Sequence, residues 1–149
     1  MKNLNKKGFT LIELLAVIVV LAIILVITVP TVLNTLTGTR KDALDASAAS
    51  AADFYRNQIA LKTIDSTKGE TGFITDFTAG TAKAARCITT TEATVLGISG
   101  GTDATSDYII GTDTSTCSTV SWTNTGSVTV ILKTGAKGKF SGTSSTATK

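Results

Sequence analysis

Glu13 is the only formal charge between Phe9 and Pro30, set in a run of Leu, Ile, Val and Ala. An acidic charge at the centre of a membrane helix costs about 2.5 to 3.5 kcal/mol, and less near the interface. A plain anchor has no use for such a group, so Glu13 calls for a partner. The other residues that could do chemistry say less. The chain has no histidine, which removes Ser-His, Cys-His and His-metal arrangements. Asp103, Asp107 and Asp113 fall in GTDATSDYIIGTD, which lacks the ligand spacing of an EF-hand, and they read as solvated turn aspartates. GAKGK, starting at Gly135, lacks the residues that separate the glycines of a P-loop. No catalytic constellation, metal set or cofactor site emerges, and the sequence points to no enzyme.

Cys87 and Cys117 both lie in the polar body that follows the apolar run. If that body lies outside the cytoplasm, a disulfide between them is the default, with two buried thiols as the alternative. Closing a loop of this size stabilises by about 3 to 4 kcal/mol in the chain-entropy model. The formal net charge of +3 invites a nucleic-acid reading. However, Lys2, Lys6 and Lys7 precede the apolar run, and without MKNLNKKG the remainder is formally neutral. Lys133, Lys137, Lys139 and Lys149 follow the last acid, Asp113, and read as solvated lysines of strands and tail.

These residues must be positioned by a chain of 149 residues, the length of one ordinary domain. MKNLNKKG has the charge of a targeting leader, but no small-residue cleavage site follows the apolar run. Any cut therefore belongs before it. As a helix, Phe9 to Pro30 would extend roughly 33 Å, enough to cross a hydrocarbon core. Pro30 has no N–H and frees a carbonyl near Val26, so a break or kink is expected there. Beyond it, Leu33, Leu36, Arg40, Leu44, Ala48, Ala51, Tyr55, Ile59 and Lys62 recur every three or four residues, the spacing of an amphipathic helix with one buried stripe. Lys41, Asp45, Asp53 and Asn57 occupy the opposite face.

The expected architecture is α+β. One long helix runs from about Phe9 to about Leu61, hydrophobic in its first half and amphipathic in its second, and DSTKGE closes it. Residues 65–106 form a variable loop with a short helix or small strands. Residues 107–141 form a small antiparallel sheet from DYIIGT, CSTVSWTN, SVTVILK and a last strand around 139–141, with Tyr108 and Trp122 in its core. Residues 142–149 are a flexible tail. The stripe from Leu44 to Ile59 packs under the sheet.

KKGFTLIELLAVIVVLAIILVITVP is similar to the N-terminus of type IV prepilins and pseudopilins. Their pattern is a short basic leader ending in Gly, an aromatic first mature residue, Glu at the fifth mature position, an unbroken apolar helix and often a proline after it. Gly8, Phe9, Glu13 and Pro30 fit, over the first quarter of the chain. The resemblance implies a leader, 1–8, cut by prepilin peptidase between Gly8 and Phe9 on the cytoplasmic side, and N-methylation of Phe9. It implies a membrane and filament-core helix over 9–32, and a globular head over 33–149 with its amphipathic helix at 33–64, together a pilin-like lollipop.

The new α-amino group at Phe9 then supplies what Glu13 lacks, either from a neighbouring subunit, where the pair fixes register, or from its own chain four residues away. The implied partners are identical subunits in a helical filament, the prepilin peptidase, the pilus assembly machinery of the cytoplasmic membrane and lipid before assembly. Nucleic acid enters only through the assembled fibre, and no cofactor is implied. The expected function is that of a major-type pilin, single-pass in the membrane and then in an extracellular pilus for adhesion, twitching motility or DNA uptake. The alternatives are a pseudopilin or minor pilin of a type II secretion or competence apparatus, and a membrane-anchored surface domain that never polymerises.

Overall fold

The computed structural model describes residues 9–65, 67–69, 73–103, 105–138, 140 and 144–149. The chain divides into two compact units after Gly38. Helix α1, Leu11–Ile64, contributes to both.

In the first unit the helix is apolar on all sides, and its large side chains from Leu11 to Leu36 are exposed within the single chain. It continues through Pro30, as the long helix expected from about Phe9 to about Leu61 requires. A single missing N–H leaves the neighbouring rungs of the ladder intact. Threonine hydroxyls add to them: Thr28 donates to the Ile24 carbonyl at 2.9 Å and Thr31 to the Ile27 carbonyl at 3.3 Å. This back-bonding gives the hydroxyls partners in an apolar setting.

In the second unit, α1 buries Leu44, Ala48, Ala51, Ala52, Tyr55, Gln58 and Ile59. The expected stripe is therefore real from Leu44 onward, whereas Leu33 and Leu36 remain exposed. The alanines let the helix lie close to what it packs on, and Tyr55 and Phe73 fill the space with rings 4.7 Å apart. The helix ends at Ile64. Asp65 then accepts from the Thr67 N–H and hydroxyl, closing a turn.

The main sheet has four strands in the order β1-β4-β5-β6, all neighbours antiparallel. They are β1 Lys83–Cys87, β4 Thr119–Trp122, β5 Val128–Lys133 and β6 Ser144–Thr148. Val128, Val130 and Leu132 alternate inward along β5 and, with Val120 and Trp122, build the core against α1. Two further strands, β2 Gly100–Gly101 and β3 Tyr108–Ile109, pair in parallel as a separate short ladder.

Residues 65–106 carry one short helix, α2, Thr90–Val95, and the small strands β1 and β2, of which β1 joins the main sheet. Two expectations are corrected here. DYIIGT forms a strand, but it pairs with β2 rather than entering the main sheet. The flexible tail expected at 142–149 contains β6 instead, and Lys149 continues the pairing by exchanging two backbone hydrogen bonds with Val128. The last strand expected around 139–141 falls partly outside the described residues. Phe140 lies in a turn and packs its ring 5.5 Å from that of Tyr108.

A buried ion pair ties the irregular parts together. Glu92, 1% exposed, receives the Arg86 guanidinium through both oxygens at 2.6 and 2.9 Å. It also accepts the N–H groups of Ile74 and Thr89. Burial works against the charge on Glu92, but Arg86 and these donors outweigh it and hold the carboxyl below its ordinary range. Arg86 also lies 3.1 Å from Asp76 and stacks over the Trp122 ring.

Candidate functional site

The site is the first turn of α1. Thr10 precedes the helix and Glu13 is its third residue, so TLIE has the S/T-x-x-E form of a capping box. The geometry follows. The Glu13 carboxylate accepts from the Thr10 N–H at 2.9 Å and from the Thr10 hydroxyl at 2.8 Å, while the Glu13 N–H reaches back to the Thr10 hydroxyl at 3.3 Å. An acid here also faces the positive end of the helix dipole. The sequence reading missed Thr10, although the spacing alone signals it.

Phe9, Glu13, Leu14 and Val17 line a shallow apolar hollow of about 340 Å³. Phe9 is 89% exposed. Gly8, Lys6 and Lys7 lie outside the described residues. Pro30 lies within the uninterrupted helix, away from this turn.

A comparison within the chain shows what the site lacks. Thr89 and Glu92 form a second capping box, at the start of α2, with the same reciprocal bonds. There the carboxylate has Arg86 as counter-ion. Among the described residues no cation pairs with Glu13, whose carboxylate is held by Thr10 alone. The surrounding surface is Leu, Ile, Val and Ala, on a helix long and apolar enough to cross a membrane.

The other candidate residues lie elsewhere. Cys87 and Cys117 form a disulfide across 30 residues, with Cα atoms 5.7 Å apart. The end of β1 and the segment before β4 are already aligned beside it, since Ile88 donates to the Ser118 carbonyl at 2.9 Å. Asp103 and Asp113 each close a turn, by accepting from Thr105 and Ser106 and from Ser115 respectively. Tyr108 and Trp122 are core residues.

Residues 3–29 match the family model described as the prokaryotic N-terminal methylation motif. No curated protein and no solved structure matches the chain significantly. The matched segment contains Gly8, Phe9, Thr10 and Glu13, together with most of the apolar run. It is a structural, pilin-type motif, and it implies processing by a prepilin peptidase in a pilus-assembly context. The apolar helix beside it fits membrane anchoring before assembly. Over residues 3–29 the chain therefore bears the type IV prepilin-class signal, a likeness shared with pilins and pseudopilins.

Proposed function

We propose that this chain is a structural subunit, of the major type, of a type IV pilus-like filament. Prepilin peptidase cuts between Gly8 and Phe9 on the cytoplasmic side of the membrane, and the new Phe9 amine is N-methylated. The subunit waits in the membrane on its apolar helix. It then enters a helical polymer of identical copies and ends in a filament on the cell surface. Head-to-tail packing that does not close into a ring gives such a polymer.

The observation that carries this reading is an acid that has no counter-ion among the described residues, at the head of an exposed apolar helix. Lipid and neighbouring helices are similarly apolar, so the same Val, Ile and Leu side chains serve as anchor and as fibre core. Glu13, which caps the helix in the first state, gains a neighbour's amine in the second. Opposite charges ~4 Å apart attract by roughly 4 kcal/mol at an effective dielectric near 20, before desolvation is subtracted. The net gain is small, but a subunit seated at the wrong height leaves both charges stranded, so the pair selects register. The capping box holds the carboxylate ready in the first turn until the amine of a neighbour arrives.

Glu13→Ala tests this. Expected are normal leader removal, normal membrane accumulation and a filament yield reduced at least about tenfold in sheared surface material. Filaments at wild-type level would overturn the register role. Overexpression separates a body subunit from a pseudopilin: long surface fibres are expected, and short ones confined to the envelope would favour the secretion-type reading.

A further inference from the structure

Ile74 is 1% exposed and adopts a φ of +49°. The left-handed region suits glycine, and a β-branched residue there is an outlier that persists only where its surroundings force it. Here charge does the forcing. Glu92 accepts the Ile74 N–H at 3.2 Å, and the Lys62 ammonium donates to the Ile74 carbonyl at 3.2 Å. Two residues on, Asp76 pairs with Lys83 at 2.8 Å and with Arg86 at 3.1 Å. Residues 73–77 are thus pinned by side chains from α1, β1 and α2.

The pinned segment covers apolar surface. Phe73, fully buried, sets its ring 5.1 Å from that of Phe54 and 4.7 Å from that of Tyr55, both on α1. Its ties converge on Glu92. That carboxylate faces Arg86 from β1, the Ile74 N–H from residues 73–77 and Tyr55 from α1. Burial pushes the Tyr55 hydroxyl further up, so it brings no charge. Neutralising Glu92 takes the charged acceptor from Ile74 and leaves Arg86 with Asp76 as its remaining acid among the described residues. Asp76 titrates in the same direction. Burial works against the charge on both acids, but Arg86 holds Glu92, and Lys83 with Arg86 holds Asp76, below their ordinary values of 4.5 and 3.8. The ties are therefore complete above pH 4.5 and are lost as the pH falls further and the folded carboxyls protonate.

We propose that residues 73–77 form an acid-released strap: with Glu92 neutral, Ile74 leaves the left-handed region and the segment lifts from α1 with Phe73, while the four-stranded sheet stays paired. The sheet does not hang on Glu92. Val120, Val128, Val130 and Leu132 belong to the core, and the disulfide joins the end of β1 to the segment before β4. Release uncovers the Phe54 and Tyr55 rings, an apolar face that the closed head hides. The device lies in the head and does not depend on how the chain assembles.

Trp122 is the only tryptophan, with the Phe77 ring 6.3 Å away and the Arg86 guanidinium 5.7 Å above its own ring, so its fluorescence reports the strap. The full chain in detergent is titrated from about pH 7 to about pH 3, with amide hydrogen exchange followed in parallel and corrected for the intrinsic effect of pH. Expected is a reversible change in Trp122 emission with its midpoint below pH 4.5. The Ile74 amide should lose about tenfold or more of its protection over the same range, while Val120 and Val130 keep theirs. In Glu92→Gln the Ile74 amide should already lack that protection at neutral pH, and the acid-induced emission change should shrink. Lys62→Met, which keeps the stem and removes the tie to the Ile74 carbonyl, should move the wild-type midpoint to higher pH. The proposal is overturned if Ile74 stays protected through the titration, or if Val120 and Val130 lose protection together with it. It is equally overturned if Glu92→Gln opens at the wild-type midpoint or if Lys62→Met leaves that midpoint unmoved.

Discussion

Glu13 and Glu92 occupy the same place in the same local motif, yet among the described residues only Glu92 has a counter-ion. That contrast shows what each residue does. Glu92 completes a folded head. Glu92→Gln keeps the shape but removes the charge that holds Arg86, and should cost about 2 to 3 kcal/mol in stability, read as a lower denaturation midpoint of the full chain in detergent. The pH dependence follows the same logic. Glu92 is held below its ordinary value of 4.5, so its contribution is complete above that pH and is lost as the pH falls further and the folded carboxyl protonates. The melting temperature of the wild type should therefore drop below about pH 4.5 more steeply than that of Glu92→Gln. Parallel curves would show that Glu92 is not the group being titrated.

At Thr10, replacement by Val removes the cap and should cost about 1 kcal/mol of local helix stability. Amide exchange at Glu13 and Leu14 should speed up, with the head unaffected. Thr10 was legible in the sequence as the first letter of T-x-x-E, but a search for partners to an acid among charged groups passes over a threonine. Arg86 was not legible, because its partner Glu92 lies six residues away and only the path of β1 into α2 brings the two together.

Among the elements, those with strong periodicity were the readable ones. The Leu44–Ile59 stripe and the alternation of Val128, Val130 and Leu132 each declare a buried face. β6 was not readable, because SSTAT carries no large apolar side chain. Its place comes from small residues turned inward, from the antiparallel pairing with β5 and from the Ser145 hydroxyl donating to Asp45 on α1. Asp45→Ala should therefore loosen the last strand, with exchange-protected amides lost from β6 first and from β4 last. Pro30 lies inside the one long helix that the periodicity on either side of it announced. The disulfide was foreseen from the expected compartment rather than from geometry. Reduction should lower the melting temperature, with about 3 to 4 kcal/mol lost in the chain-entropy model. An unchanged melt would show that β1 and the segment before β4 are held by packing and hydrogen bonds alone.

For the molecule as a whole, the N-terminal signal was the most legible feature, because leader charge, glycine, acid and apolar length must all coincide within a short segment, and residues 3–29 match the methylation motif. The head is specified by its own packing and carries no comparable signal, which is why its surface chemistry had to be read from the structure. The account joins the two: an apolar helix that fits an anchor, an acid proposed to wait for an amine, and a disulfide-tied head. Its central claim is that a cut between Gly8 and Phe9 creates that amine. The most direct measurement is the mass of the N-terminal peptide of chains recovered from sheared surface filaments. The account predicts a peptide that begins at Phe9 and carries one added methyl group on its amine. Filaments built from chains that still begin at Met1 would contradict it.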